Sequence, residues 1–217
     1  MTADYDASVS GYLARCKELR SAGTLRDLRY AALELRLGLE TLLAECVEAD
    51  EELAALTRNK WRAAQLTGAM NTGNRRRGDE MSIVHLQLFD PTEVIAFQYF
   101  PVTDRLMESV GRLGDFLHRN ARIERGADGV MDELRGLVRD AYADLLLANA
   151  SELAGLPRIN PVTGGPHLVL RLPPGDPRVT ALQAAITAGR KHEVNFISIN
   201  PIGQPTFYED DKPSADV

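Results

Sequence analysis

From Leu25 onward, apolar residues recur at steps that alternate three and four: Leu25, Leu28, Ala32, Leu35, Leu39, Leu42, Cys46, Ala49, Leu53 and Leu56. This is the seam of a long α-helix. A second stripe, Tyr30, Leu33, Leu37, Leu43, Val47 and Ala54, runs beside it. Two stripes make a wide apolar face, so the helix is expected to pack on several others as the spine of a bundle. Continued to Gln65 it would be roughly 60 Å long, and a break between Asp50 and Asn59 is expected. Gly38, within the helix, predicts the close approach of another helix.

Before this spine, Val9, Tyr12, Leu13, Cys16 and Leu19 form the apolar face of a helix expected over Asp6–Ser21. Gly23 can end it in a left-handed turn. Thr24 and Asp27 have the spacing of a capping box for the next helix, so the two should pack antiparallel. Later, Ile83–Phe89 reads as a strand with Val84, Leu86 and Leu88 on one side. Asp90-Pro91-Thr92-Glu93 has the composition of a helix start, with Pro101 ending or kinking that helix and Thr103 restarting it. Leu106, Val110, Leu113 and Leu117 would be its core stripe. A further long helix is expected over Gly129–Leu153, with Val130, Leu134, Leu137, Ala141, Leu145 and Ala148 inward.

After Gly155 the texture changes to short elements separated by Pro and Gly. His167–Leu172 and Val194–Ile199 read as strands. Asp176-Pro177 starts a helix with Val179, Leu182 and Ile186 inward. If both strands share a sheet, a right-handed βαβ unit follows, to which Ile83–Phe89 could add a strand. The expected architecture is therefore mainly α: a helical bundle over 1–154, a small C-terminal α/β module over 155–208, and an acidic tail over 209–217, expected to be disordered.

Composition changes this picture little. The chain of 217 residues is 44% hydrophobic, enough for a sizeable core. Its net charge of −6 gives no global attraction for nucleic acid, so any RNA contact needs a local basic patch. Positive charge is almost all Arg, with Lys only at 17, 60, 191 and 212. Cys16 and Cys46 fall at apolar positions and are expected as buried free thiols, as in a reducing cytoplasm. Met1–Ser10 has no signal-peptide character, and no apolar run approaches membrane-spanning length.

The four histidines are scattered, and neither cysteine has a near partner, so no metal site is expected. Nor is a cofactor, since no GxxxxGK[ST], GxGxxG or GxSxG signature occurs. Arg75, Arg76 and Arg77 lie on an expected Gly/Asn-rich loop, where they would grip phosphate or simply be solvated. In the segment Arg112-Leu113-Gly114-Asp115-Phe116-Leu117-His118, five residues separate an Arg from a His at the end of one helix and ahead of another. Such a pair has the chemistry to cleave RNA without metal. His moves a proton to or from an oxygen, and Arg stabilises charge on the phosphate. On one helix, six residues is about 600° of rotation, so the two converge only if the helix ends between them or two chains meet.

In the spacing of Arg112 and His118, and in the helical segment Arg26–Arg36, the chain resembles the HEPN superfamily over roughly Thr24–Leu153. The resemblance implies a helical bundle acting as a homodimer, and a metal-independent ribonuclease of a toxin–antitoxin, antiphage-defence or RNA-processing system. Arg112 and His118 would be catalytic, with Arg119 and Arg122 holding RNA. Leu113 departs from the polar residue usual after the Arg in that family. The alternative is a non-catalytic helical adaptor that binds protein partners.

Overall fold

The computed structural model describes residues 5–48, 82–89, 92–118, 129–154, 158–159 and 166–198. Among these the protein is mainly helical, with a small antiparallel sheet. Helix α1 spans Val9–Ala22. It starts three residues later than expected, because the Ser8 hydroxyl caps it by accepting the Gly11 N–H at 3.1 Å. Gly23, at φ 71°, turns the chain left-handed into α2, Leu25–Glu48. Thr24 caps α2 as its spacing suggests, with Oγ1 accepting the Asp27 N–H at 3.1 Å and its hydroxyl donating to the Asp27 carboxylate. The two helices run antiparallel: Arg15 pairs with Glu34 at 2.9 Å, and Tyr12 lies against Gly38.

Helices α3, Asp104–Leu117, and α4, Val130–Asn149, complete a bundle around one core. The α2 seam is buried through Leu28, Ala32, Leu35, Leu39, Leu42 and Cys46. All six expected inward residues of α4 are buried as well. Both cysteines are free and buried, which pushes the Cys16 thiol up to about 12 and the Cys46 thiol up to about 11. They are protonated and unreactive packing groups. The expected break between Asp50 and Asn59, the Arg75–Arg77 loop and the acidic tail lie outside the described residues.

Gly38 meets its expectation on two sides. A Cβ there would lie 3.0 Å from Leu145 Cδ2 and 3.2 Å from Tyr12 Cβ. Helix propensity favours Ala over Gly by about 1 kcal/mol, but overpacking a tight contact costs about 1–3 kcal/mol. Gly38→Ala is therefore expected to destabilise by about 1 kcal/mol in urea unfolding. Gly136→Ala on α4, where a Cβ would meet nothing within 4 Å, should stabilise by up to about 1 kcal/mol. Equal shifts of one sign would contradict the packing argument.

Strand β1, Ser82–Leu88, is the central strand of a three-stranded sheet. Its neighbours are β2, Glu93–Tyr99, and β5, His192–Ser198, both antiparallel to it. Val84, Leu86 and Leu88 face inward, as their alternation predicts. The helix start at Asp90–Glu93 is not realised. Asp90 and Pro91 lie outside the described residues, and Glu93 opens a strand. The period-two pattern of Ile95, Phe97 and Tyr99 wins there, because all three are buried against the sheet core. Burying each contributes about 1.5–3 kcal/mol, more than a helix cap provides. Pro101 then sits in the connection to α3, which starts afresh where Thr103 Oγ1 accepts the Leu106 N–H at 3.1 Å.

The C-terminal part departs further from expectation. In place of a strand over His167–Leu172 there is a two-residue ladder, β3 (Arg158–Ile159) with β4 (Pro166–His167), and an isolated bridge from Leu170 to Leu153. Helix α4 accordingly stops at Asn149, short of Leu153. No βαβ unit forms among the described residues. β5 joins the open edge of β1 antiparallel, with Val194 opposite Leu86, so the sheet takes two of its three strands from residues before 155. Helix α5, Pro177–Thr187, starts at its expected Asp176 cap but is rotated from the expected face. Ala185 is buried and Ala181 and Leu182 pack on the sheet core, whereas Ile186 is 68% exposed.

One Arg ties these pieces together. The Arg178 guanidinium donates to Asp176 at 2.8 Å, to Glu152 at 2.7 and 3.0 Å, and to the Ala96 carbonyl of β2 at 3.0 Å. Glu152 also accepts the Gln98 N–H at 2.8 Å. Burial would raise the Glu152 carboxyl, but the Arg178 and Gln98 hydrogen bonds outweigh it and hold it below its ordinary value. Arg178 lowers Asp176 likewise. Carboxyls lowered on folding add stability above their unfolded-state pKa, and it is lost as pH falls through the folded values. The stability gap between wild type and Arg178→Met, measured by urea unfolding, should therefore be largest near neutrality and narrow in acid.

Candidate functional site

The site is built on the C-terminal half of α3. An amphipathic stripe, Leu106, Val110, Leu113 and Phe116, buries one side of this helix. Arg112 is left on the exposed side. The helix ends at Leu117, so His118 is its capping residue, in extended backbone at φ −85° and ψ 171°. Its N–H donates to the Gly114 carbonyl at 3.4 Å, and its side chain is exposed. Residues 112–117 are all helical and the His118 N–H still makes the helical bond to the Gly114 carbonyl, so Arg112 and His118 keep an offset of about 600° and do not share one face. Among the described residues no hydrogen bond or ion pair joins the two.

Arg112 instead reaches the first turn of α4, where its Nη2 lies 3.3 Å from Glu133 Oε1. Both side chains are substantially exposed, 52% and 30%. A pair of this kind contributes about 0–1 kcal/mol, so a phosphate could displace Glu133 at little cost. Arg119, Arg122, Arg75, Arg76 and Arg77 lie outside the described residues.

Two further arginines stand at the same end of α3, both from α2. Arg29 Nη2 donates to the Leu117 carbonyl at 3.1 Å, next to His118. A cation is favourable at that helix terminus. Arg36 Nη1 comes within 3.9 Å of the position a Gly114 Cβ would take, while its Nε pairs with Glu40 at 3.1 Å. Sequence reasoning gave neither a role. The available signal was their seven-residue spacing, which puts both on one side of α2, but only the docking of α3 shows what that side meets.

Among the described side chains the remaining histidines, His85 and His192, do not assemble a second centre. His85 is on the sheet, and the His192 Nδ1 is 3.4 Å from the Arg190 carbonyl oxygen. Among the described residues no group of three or more His, Cys, Asp or Glu is set to hold a metal ion, and no helix is long and apolar enough to cross a membrane. Compared with known proteins, the chain matches no family model, no curated protein and no solved structure.

Proposed function

We propose that the protein is a HEPN-like, metal-independent ribonuclease that acts as a homodimer in the cytoplasm, in a toxin or defence role. The observation that supports this reading is an exposed His118 at the end of α3 with an exposed Arg112 on the same helix, two groups on different faces that would meet across two copies of the chain. His118 exchanges the proton of a ribose 2′-hydroxyl or of the leaving oxygen. Arg112, exchanging Glu133 for the scissile phosphate, stabilises the charge that grows there. Arg119, Arg122 and the Arg75–Arg77 run supply further phosphate contacts. The partner copy brings a second Arg112 and His118 to the same cleft.

The Arg112–Glu133 pair favours a second reading, a non-catalytic adaptor in which Arg112 only links α3 to α4. Cleavage of end-labelled RNA in EDTA by wild type and His118→Ala decides between them. Cleavage by wild type alone supports the ribonuclease. Equal cleavage by both, or none by either, overturns it.

A further inference from the structure

The second apolar stripe of α2 is buried only at its C-terminal half, through Leu43 and Val47. Its N-terminal half is open: Tyr30 is 50% and Leu33 39% exposed. Around them are Arg26, Arg29 and Arg36, on the side of α2 that leads to the end of α3. Arg26 lies over the Tyr30 ring, 5.7 Å from its centroid. Neither Arg26 nor Arg29 has a carboxylate partner among the described residues; the acids nearby are otherwise engaged, Asp27 with Thr24, Glu34 with Arg15 and Glu40 with Arg36. Arg29 spends one N–H on the Leu117 carbonyl, and a guanidinium has five.

We infer that this face of α2, through Arg26, Arg29, Tyr30 and Arg36, holds single-stranded RNA and leads it to His118. The inference rests on the RNA reading above and adds where the strand lies. An exposed ring beside Arg26 and Arg29, which have no carboxylate partner among the described residues, is the chemistry that stacks a base and neutralises its phosphates, and Arg36 joins them by giving up Glu40. A second copy fits the face less well. A symmetric contact brings the same patch to both sides; here it sets Arg26 and Arg29 against their own copies without the local carboxylate that Arg112 has in Glu133. In a chain of net charge −6, this is a local positive surface complementary to a polyanion.

The test is fluorescence anisotropy of a labelled oligouridine with the full chain carrying His118→Ala, which prevents cleavage during titration. Adding Arg26→Gln with Tyr30→Ala, both at exposed positions, is expected to weaken binding about tenfold or more. Each Arg removed should flatten the slope of log affinity against log salt by about 0.7. Arg29→Gln should act in the same direction; if it disturbs α3 instead, Arg26 and Tyr30 decide alone. Unchanged affinity and slope in the variants, with the parent still binding, overturns the α2 assignment and leaves the ribonuclease reading standing. No binding by the parent overturns both. Loss of a dimer in sedimentation, with RNA affinity intact, assigns the face to a second copy and overturns the inference.

Discussion

His118→Ala is expected to lower RNA cleavage at least a hundredfold while the protein melts at the wild-type temperature. General acid–base catalysis by one positioned side chain is worth about 10²–10⁴ in rate. The fold uses the backbone of His118, whose N–H bonds Gly114, and Ala retains that bond. An exposed substitution of this kind shifts stability by about 0.5 kcal/mol at most. Arg112→Ala should be of similar severity, about 10²–10³, because it removes the donor that meets the developing charge. Arg112→Lys should recover little, since an ammonium lacks the planar fork that binds two phosphate oxygens. Glu133→Gln should move the other way. Freed of its carboxylate, Arg112 is open to RNA, and KM should fall by up to about fivefold, in line with the small worth of an exposed ion pair. Unaltered cleavage in all four variants would leave α3 with no part in chemistry.

The largest effect on stability is expected at Leu35. Its side chain is fully buried where α2 meets the bundle core. Leu35→Ala removes buried methyl groups and leaves a cavity that four packed helices cannot close, at a cost of about 2–5 kcal/mol. For a chain of this size that lowers the melting temperature by roughly 5–15 °C. Leu33→Ala, two residues away on the exposed stripe, should stay within about 0.5 kcal/mol. Thermal unfolding followed by circular dichroism separates the two. Similar losses at both positions would mean that Leu33 is covered in solution.

That contrast also marks how far the sequence could be read. Spacing alone identified the α2 seam, the Gly23 turn, the Thr24 cap, the close approach at Gly38 and the whole inward face of α4. Each depends on contacts within a few turns of helix. What failed depends on partners distant in the chain. Asp90–Glu93 has the composition of a helix cap, and only the pairing of Glu93–Tyr99 with β1 shows that it precedes a strand. Tyr30 and Leu33 look like Leu43 and Val47 in any periodic analysis. Which of the four is covered depends on where α3 and α4 dock. At the candidate site, the residue types of Arg112 and His118 and their position before the last bundle helix were legible. Glu133 and Arg29, which contact Arg112 and the end of α3, were not, because neither lies near the pair in sequence.

The order of the sheet also bears on how the chain folds. β1 pairs with β2 across a short connection, but its other edge waits for β5. During synthesis that delay is roughly a hundred residues, or about 5–20 s. A two-stranded hairpin is marginal in water by itself, while helices with local contacts form in microseconds to milliseconds. The bundle is thus expected to close around α2 first, while the hairpin, whose apolar cluster is separate from the bundle core, stays half-finished. Pulse-labelled hydrogen exchange should find the amides of α2 and α4 protected well before those of β1, with the arrival of the last strand setting the slow step.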